Sequence, residues 1–361
     1  MSRIFSFFVL IAVSISAYSQ EMEYDLLISQ GDSLMINYNL PEALQKYEQA
    51  ARISHTYELR KRIGNCHYRR GAYRQCIAEL EQLPDSSLDH AAMRNLYFCY
   101  QNIGDRKKMY YMGELIRVVY PYDGELIANL AKNYNADEKP ELAAAALIPY
   151  LERDSTSLNV LRQYAEAKFF MLEFDVARET YKRIIELGDS TSYNVNYSLG
   201  ICYLHYEDFE KAYSCLRKAV DISERKKMGS LYRLGMACVK TGRAAEGVEC
   251  LTRSLELSKT PSSLLFNLNE LLADGYEQLG DYRNEQYALK DCLLLEGSHN
   301  RILYKLALAY RNGKDYHNAA VTYRQFLNSA GMVPENKRAD ELKQMMSLAE
   351  ADLKNVEKLN K

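Results

Sequence analysis

Apolar side chains recur three and four positions apart in short blocks along most of this chain, and polar turns separate the blocks. Residues at that spacing share one face of a helix, so each block predicts an amphipathic helix. The blocks themselves repeat. Gly31, Gly64, Tyr97, Ala131, Ala165, Gly200, Gly235, Ala273 and Ala307 follow one another at spacings of 33, 33, 34, 34, 35, 35, 38 and 34, and all but Tyr97 are small. Twelve residues beyond each anchor is a second slot, holding Ala43, Cys76, Met109, Ala143, Ala177, Ala212, Gly247, Glu285 and Ala319. Four further on comes a large apolar slot, with Tyr47, Leu80, Leu147, Tyr181, Leu216, Leu251, Leu289 and Tyr323; Gly113 breaks it. Turn clusters such as Gly71-Ala72-Tyr73, Gly280-Asp281-Tyr282 and Gly313-Lys314-Asp315-Tyr316 separate the two halves of a repeat. The pattern predicts about nine helical hairpins. One hairpin cannot bury both of its faces, so stacked neighbours supply the missing contact and generate a superhelix with a long concave surface.

At this point the chain resembles the tetratricopeptide repeat family. The segment LGICYLHYEDFEKAYSCLRKAVDI, from Leu199 to Ile222, carries the likeness most clearly, and the resemblance extends over roughly residues 24–334. It implies an all-α fold: a right-handed superhelical solenoid of antiparallel helical hairpins, closed by a C-terminal capping helix. The family's Trp slot holds Leu27, Leu161, Leu231 and Leu303, but Arg60, Asn196 and Asn269 elsewhere. The third repeat (Tyr97, Met109, Gly113) and the eighth (Glu285) depart from the pattern, and distortion is expected there. Some arrays of this family grip a peptide's terminal carboxylate with five polar groups. Lys61, Asn65 and Asn95 match the first three, but Glu125 and Asn129 stand in the last two places, so that clamp is incomplete.

Both ends differ from the array. Residues 1–19 combine Arg3, an apolar run from Ile4 to Val13 and the small-residue order Ala17-Tyr18-Ser19, the pattern of a cleaved export signal. The run is short for a membrane span, and no Cys follows it for lipidation. The mature chain is expected to begin near Gln20, to be periplasmic or secreted, and to have no stable membrane insertion. The repeat array occupies 20–334, with a bend expected near 259–265, where Lys259-Thr260-Pro261 falls in the longest spacing. Residues 335–361 form the expected capping helix, through Leu342, Met345, Met346, Leu348, Leu353, Val356 and Leu359.

Charge and chemistry narrow the function. A net charge of -2 offers no basic field for nucleic acid. Gly31-Asp32-Ser33-Leu34 spells a serine esterase signature, but no core strand precedes it and Gly31 and Leu34 are already repeat positions. The six histidines are scattered without helical metal spacing, so neither metal nor cofactor is expected. The eight cysteines fall in small core slots, predicting mostly free, buried thiols, with one bridge left open as an alternative. Of the 30 tyrosines, many sit in repeat slots. The sequence therefore predicts a non-enzymatic scaffold or adaptor of the cell envelope that binds a protein or peptide. An accessory protein binding carbohydrate or envelope polymer is the second reading, and a GDSL-like esterase the third. One stripe on each first helix points away from its own second helix. That stripe selects Arg162, Phe169, Tyr197, Ile201, Leu204, Tyr232, Met236 and Tyr304 as the binding residues, with an acidic stretch at Glu270, Asp274 and Glu277. The identity of the partner and the oligomeric state are not legible in the residues.

Overall fold

The computed structural model describes residues 2–257, 262–297 and 299–359. Met1 of the expected leader and residues 259–261 of the expected bend therefore lie outside the described residues. Among those residues the chain forms helices and turns and no strands. The hairpins pair α1 (Ser2–Ile36) with α2 (Leu40–Ile53), α3 (Tyr57–Arg69) with α4 (Tyr73–Leu80), and α5 (His90–Ile103) with α6 (Arg106–Val119). Next come α7 (Gly124–Ala136) with α8 (Pro140–Leu151), then α9 (Leu158–Phe170) and α10 (Phe174–Glu186) in chain order. They are followed by α11 (Tyr193–His205) with α12 (Phe209–Ile222), and α13 (Met228–Lys240) with α14 (Ala244–Leu257). The last two are α15 (Ser262–Leu279) with α16 (Tyr282–Glu296), and α17 (Asn300–Asn312) with α18 (Tyr316–Gly331); α19 (Asp340–Leu359) ends the array. No helix among the described residues is long and apolar enough to cross a membrane.

The helices fall into two compact units, Met1–Ala167 and Lys168–Lys361, with the division inside α9. The same construction holds in each. A first helix packs on its own second helix, and that second helix packs on the next first helix, as α2 does on α3 and α12 on α13. Consecutive first helices also touch, α3 with α5 in the first unit, α11 with α13 and α13 with α15 in the second. They form a continuous wall within each unit.

The anchors are small because the helices of a hairpin close on one another there. A Cβ on Gly31 would stand 2.4 Å from the Tyr47 ring, and one on Gly200 or Gly235 2.6 Å from Leu216 or Leu251. The third hairpin, expected to be distorted, solves the same problem in reverse. Tyr97 is fully buried at the anchor, and Gly113 takes the slot that is large elsewhere. A Cβ on Gly113 would meet the Tyr97 ring at 2.9 Å and Leu130 at 2.8 Å. Large and small have exchanged places, and the hairpin keeps its form.

Seven residues after every anchor the chain adopts a left-handed backbone conformation to turn into the second helix. Gly71, Gly104, Gly242 and Gly280 do so at little steric cost, but Tyr38, Glu138, Leu172, Glu207 and Lys314 do so with φ between 55° and 64°. In the Gly313-Lys314 turn it is Lys314, not Gly313, that takes the left-handed angle. Aspartates then cap several second helices: Asp105, Asp208, Asp281 and Asp315 each accept the backbone N–H three residues on. Asn196, in a slot that is leucine in four other hairpins, is buried and donates to the carbonyls of Ser190 (2.9 Å) and Ser192 (2.8 Å), tying down the preceding turn.

The C-terminal core contains Phe266, Leu272, Leu289, Leu306, Tyr323 and Phe326, and α19 adds Ala349 and Val356 to it, with Met345, Met346 and Leu353 packed alongside. Asp352 accepts from Arg311 and Tyr323 (3.1 Å for the latter), which fixes α19 over α17 and α18.

Candidate functional site

The residues three before and one after each anchor line the first-helix wall, all but the buried Ala128 partly or fully exposed, and their chemistry divides the chain. In the first unit the pairs are Ile28/Asp32, Lys61/Asn65, Arg94/Phe98, Ala128/Lys132 and Arg162/Glu166. In the second they are Tyr197/Ile201, Tyr232/Met236, Glu270/Asp274 and Tyr304/Leu308. The first wall is largely charged or polar. The second is aromatic and aliphatic with one acidic hairpin.

Side chains of the first wall are spent on one another. Arg62 on α3 reaches Asp32 on α1 at 3.0 Å, and Asp32 also accepts from the Tyr47 hydroxyl at 2.6 Å. Lys61 pairs with Glu58 (2.5 Å) and with Asp89, the cap of α5, at 3.0 Å. Asn95 donates to Asn65 (3.3 Å), and Tyr97 donates to Asn129 (2.9 Å). Asp123 is the strongest node: it caps α7 through the Leu126 N–H, accepts from Arg94 at 2.6 Å and sits 2.9 Å from His90. Burial opposes the charge on Asp123, but Arg94, the Leu126 N–H and His90 outweigh it and hold the carboxyl below its ordinary value. The five positions compared with a carboxylate clamp are thus engaged within the wall, Lys61, Asn65, Asn95 and Asn129 as above and Glu125 with Arg94 at 2.9 Å. Arg162, the one predicted binding residue of this unit, lies half-buried on α9 with its guanidinium 3.0 Å from Asn159.

The second wall holds the other predicted residues. Phe169, Tyr197, Ile201, Leu204, Tyr232, Met236 and Tyr304 are all half-buried, neither sealed in the core nor free of it. Tyr197 stacks on Tyr193, centroids 5.4 Å apart and rings 14° from parallel. Lys227 lies 3.6 Å over the Tyr193 ring, and Arg233 5.4 Å from the Tyr197 ring, so cations sit on two rings of this ladder. Tyr193, Lys227 and Arg233 are not among the residues selected from the sequence. The four-residue spacing of Tyr193 and Tyr197 is the signal that could have found the first of them. Tyr232 packs against the C-terminal core, and burial, with Glu270 nearby, raises its phenol above the ordinary value. Phe169 lies edge-on to Phe170 and Phe174. Tyr304 stands apart from the ladder. Its ring lies 5.4 Å from Phe326 and 6.4 Å from Tyr323, and Asp352 of α19 acts on its hydroxyl, so it belongs to the contact with the terminal helix.

Beyond Tyr232 the wall turns acidic, as the sequence indicates. Glu270 pairs with Arg301 (2.6 Å), and Asp274 with Lys305 (2.6 Å), bridging α15 to α17. Burial works against the Lys305 ammonium, and Asp274 and Glu270 more than restore it, so its pKa is raised. Behind them Glu285 on α16 is 4% exposed, and its Oε2 has no hydrogen-bond partner among the described residues. Burial first, then repulsion from Glu277 and Asp274 against the pull of Lys305, lifts its pKa to about 8. The sequence marked Glu285 only as a break in the pattern.

The remaining motifs carry structure. Gly31-Asp32-Ser33-Leu34 lies inside α1, not on a strand-to-helix turn; Gly31 packs on Tyr47, and Asp32 holds Arg62 and Tyr47. Asp32 borders a cavity of about 390 Å³ with Tyr38, Tyr47 and Arg62, and Ser33 does not line it. The eight cysteines are unbridged, seven of them buried and Cys215 half-buried. No group of three His, Cys, Asp or Glu side chains among the described residues is placed to hold a metal ion.

Comparison with known proteins bears on this geometry. Residues 193–226 and 229–261 match one sequence profile of the tetratricopeptide repeat, and residues 301–330 match another. The chain carries tetratricopeptide repeats. Those matches fall in the second unit. Solved structures of repeat proteins are similar to this chain at low identity. One is part of a repeat protein from Cytophaga hutchinsonii, 14% identical over 77% of this chain and 99% of that one, with a TM-score of 0.49. Another, from Parabacteroides merdae, is 14% identical over 70% and 99%, with a TM-score of 0.46. A third, YrrB, described as having an unusual peptide-binding site, is 16% identical over 53% and 96%, with a TM-score of 0.47. Among curated proteins no sequence matches.

Proposed function

We propose that this chain is a non-enzymatic scaffold that binds a protein or peptide segment on the first-helix wall of its second unit. The observation that carries the reading is the contrast between the walls. Where the first unit places Lys61/Asn65 and Arg94/Phe98, already engaged with neighbours, the second places the half-buried, largely apolar Tyr197/Ile201 and Tyr232/Met236. Contiguous apolar surface rimmed by charge marks a binding surface, and Tyr, Met and Arg are its usual anchors. Tetratricopeptide arrays are in general interaction scaffolds, which agrees with this assignment. Truncating Tyr197, Ile201 or Met236 to Ala weakens a partner recovered from envelope extract by about 1–2 kcal/mol each, read by calorimetry with the purified partner. The reading fails if partner affinity per folded molecule is unchanged in all three variants.

The same proposal places the protein in the cell envelope or outside the cell, from Arg3, the apolar run Ile4 to Val13 and the small residues before Gln20. Mass spectrometry of protein from the natural host finds a mature N-terminus near Gln20. An intact Met1 terminus there refutes the placement.

A further inference from the structure

The acidic end of the second wall has more negative charge than it has cations to meet it. Four carboxyl groups lie where α15, α16 and α17 pack: Glu270 and Asp274 on α15 share Lys305, and Glu277 on α15 and Glu285 on α16 stand near Asp274. Two cations answer them. Arg301 and Lys305 both come from α17, and they are committed to Glu270 and Asp274. Glu277 is exposed and pairs with no cation among the described residues. Glu285 is more than nine-tenths buried, close enough to Asp274 and Glu277 to feel their charge, and its Oε2 has no hydrogen-bond partner among the described residues. A buried carboxyl without a partner costs free energy in the isolated protein, and every other hairpin fills this slot with an uncharged side chain, in six of the eight Ala or Gly. The location matters too. α13 packs on α15, and the charge of Glu270 reaches Tyr232, so the acidic hairpin is the next one along the wall from the apolar ladder.

We propose that Asp274, Glu277 and Glu285 form a subsite for the side-chain cation of the bound segment, a lysine ammonium or arginine guanidinium that follows its apolar anchors. This rests on the second wall being the binding surface. The described residues provide no set of ligands for a metal ion, which favours an organic cation reaching in from the surface. Glu277 meets that cation at the surface and Asp274 shares it with Lys305. Glu285 supports it from behind, giving up its proton when the cation arrives. The groups facing Glu285 are Asp274 and Glu277 from α15 and Lys305 from α17.

The test pans a display library of random dodecapeptides on the full chain, then resynthesises an enriched peptide with its Lys or Arg intact and with norleucine in that place. On the wild-type chain the enriched peptides combine aromatic or aliphatic residues with a cation, and the cationic form binds about tenfold tighter. Glu277→Gln, at an exposed position that folding tolerates, and Glu285→Gln each reduce that preference to about twofold. The preference also grows between pH 6 and pH 9 as Glu285 loses its proton. Equal binding of the two forms on wild type, a preference that survives both variants, or one unchanged across that pH range overturns the subsite. Failure of the wall itself reads differently: no apolar peptide is enriched, or Tyr197→Ala leaves the binding of both forms unchanged, and the subsite falls with it.

Discussion

The two units share one construction and differ in what their inner walls do with it. In the first, a charged or polar residue on one first helix meets its complement on the next, as in Arg62–Asp32, Lys61–Asp89, Asn95–Asn65 and Arg94–Asp123. In the second, the equivalent positions of two hairpins carry the half-buried Tyr197, Ile201, Tyr232 and Met236, and the acidic hairpin bridges to α17 through Glu270 and Asp274. Side chains that satisfy one another hold helices in register. Half-buried apolar side chains on such a wall still have surface to offer a partner. The same fold thus separates cohesion from recognition by what occupies two positions of each hairpin.

The comparison can be broken hardest at Tyr97, whose ring fills the third hairpin and whose hydroxyl bridges to α7. Tyr97→Ala costs about 4 kcal/mol in urea denaturation, because it leaves a cavity in a site built around the ring. Gly113→Leu alone costs about 3 kcal/mol by overpacking, and the double variant recovers most of both losses. Additive losses in the double variant would show that the two positions do not exchange size. Next comes Asp123→Ala, which removes a helix cap and leaves Arg94 only Glu125 as its partner, at about 2 kcal/mol near pH 7. Because the carboxyl of Asp123 is held below its ordinary value, its contribution is present at neutral pH and fades as pH falls through the folded-state value. The gap between wild type and variant in denaturation therefore narrows only on the acid side of the ordinary carboxylate range.

A smaller effect of opposite pH sense sits in the second unit. The raised pKa of Glu285 means that the folded chain binds a proton the unfolded chain has released between about pH 4.5 and 8, so stability declines as pH rises across that window. Glu285→Gln removes the decline and is more stable than wild type at pH 9 by roughly 2 kcal/mol, read from denaturation midpoints at both ends of the window. The smallest effect concerns turns. Leu172→Gly relieves a left-handed backbone angle at an exposed side chain and raises stability by about 0.5 kcal/mol, whereas Gly242→Ala lowers it by about 1 kcal/mol.

The fold was legible in the sequence because close approach restricts residue type. Gly31, Gly64, Gly200 and Gly235 are small for a reason that acts at one spacing, and that spacing is visible without a structure. The turns were half legible. Gly71 and Gly280 signal a left-handed angle, but Tyr38, Glu138 and Leu172 adopt it under pressure from the hairpin and carry no residue signature. The polar bridges of the first wall were not legible, because each joins residues about thirty positions apart whose pairing needs the register of two packed helices. At the candidate site the sequence located the stripe and its acidic end. It could not place Lys227 and Arg233 on the tyrosine ladder, nor show that Tyr304 is engaged near α19, since both depend on neighbouring helices.

The exchange between Tyr97 and Gly113 has a consequence for assembly. Similar hairpins stacked in series can pair with the wrong neighbour while the chain folds, because most small anchors accept most large partners. Tyr97 accepts none of them: a second helix carrying Leu or Tyr in its large slot collides with it, and only α6 offers the glycine that admits it. One mismatched pair therefore acts as an address within a repetitive chain, fixing which second helix follows which first helix. A chimera that grafts α6 behind any other first helix leaves a hole, and one that puts another second helix behind α5 does not close.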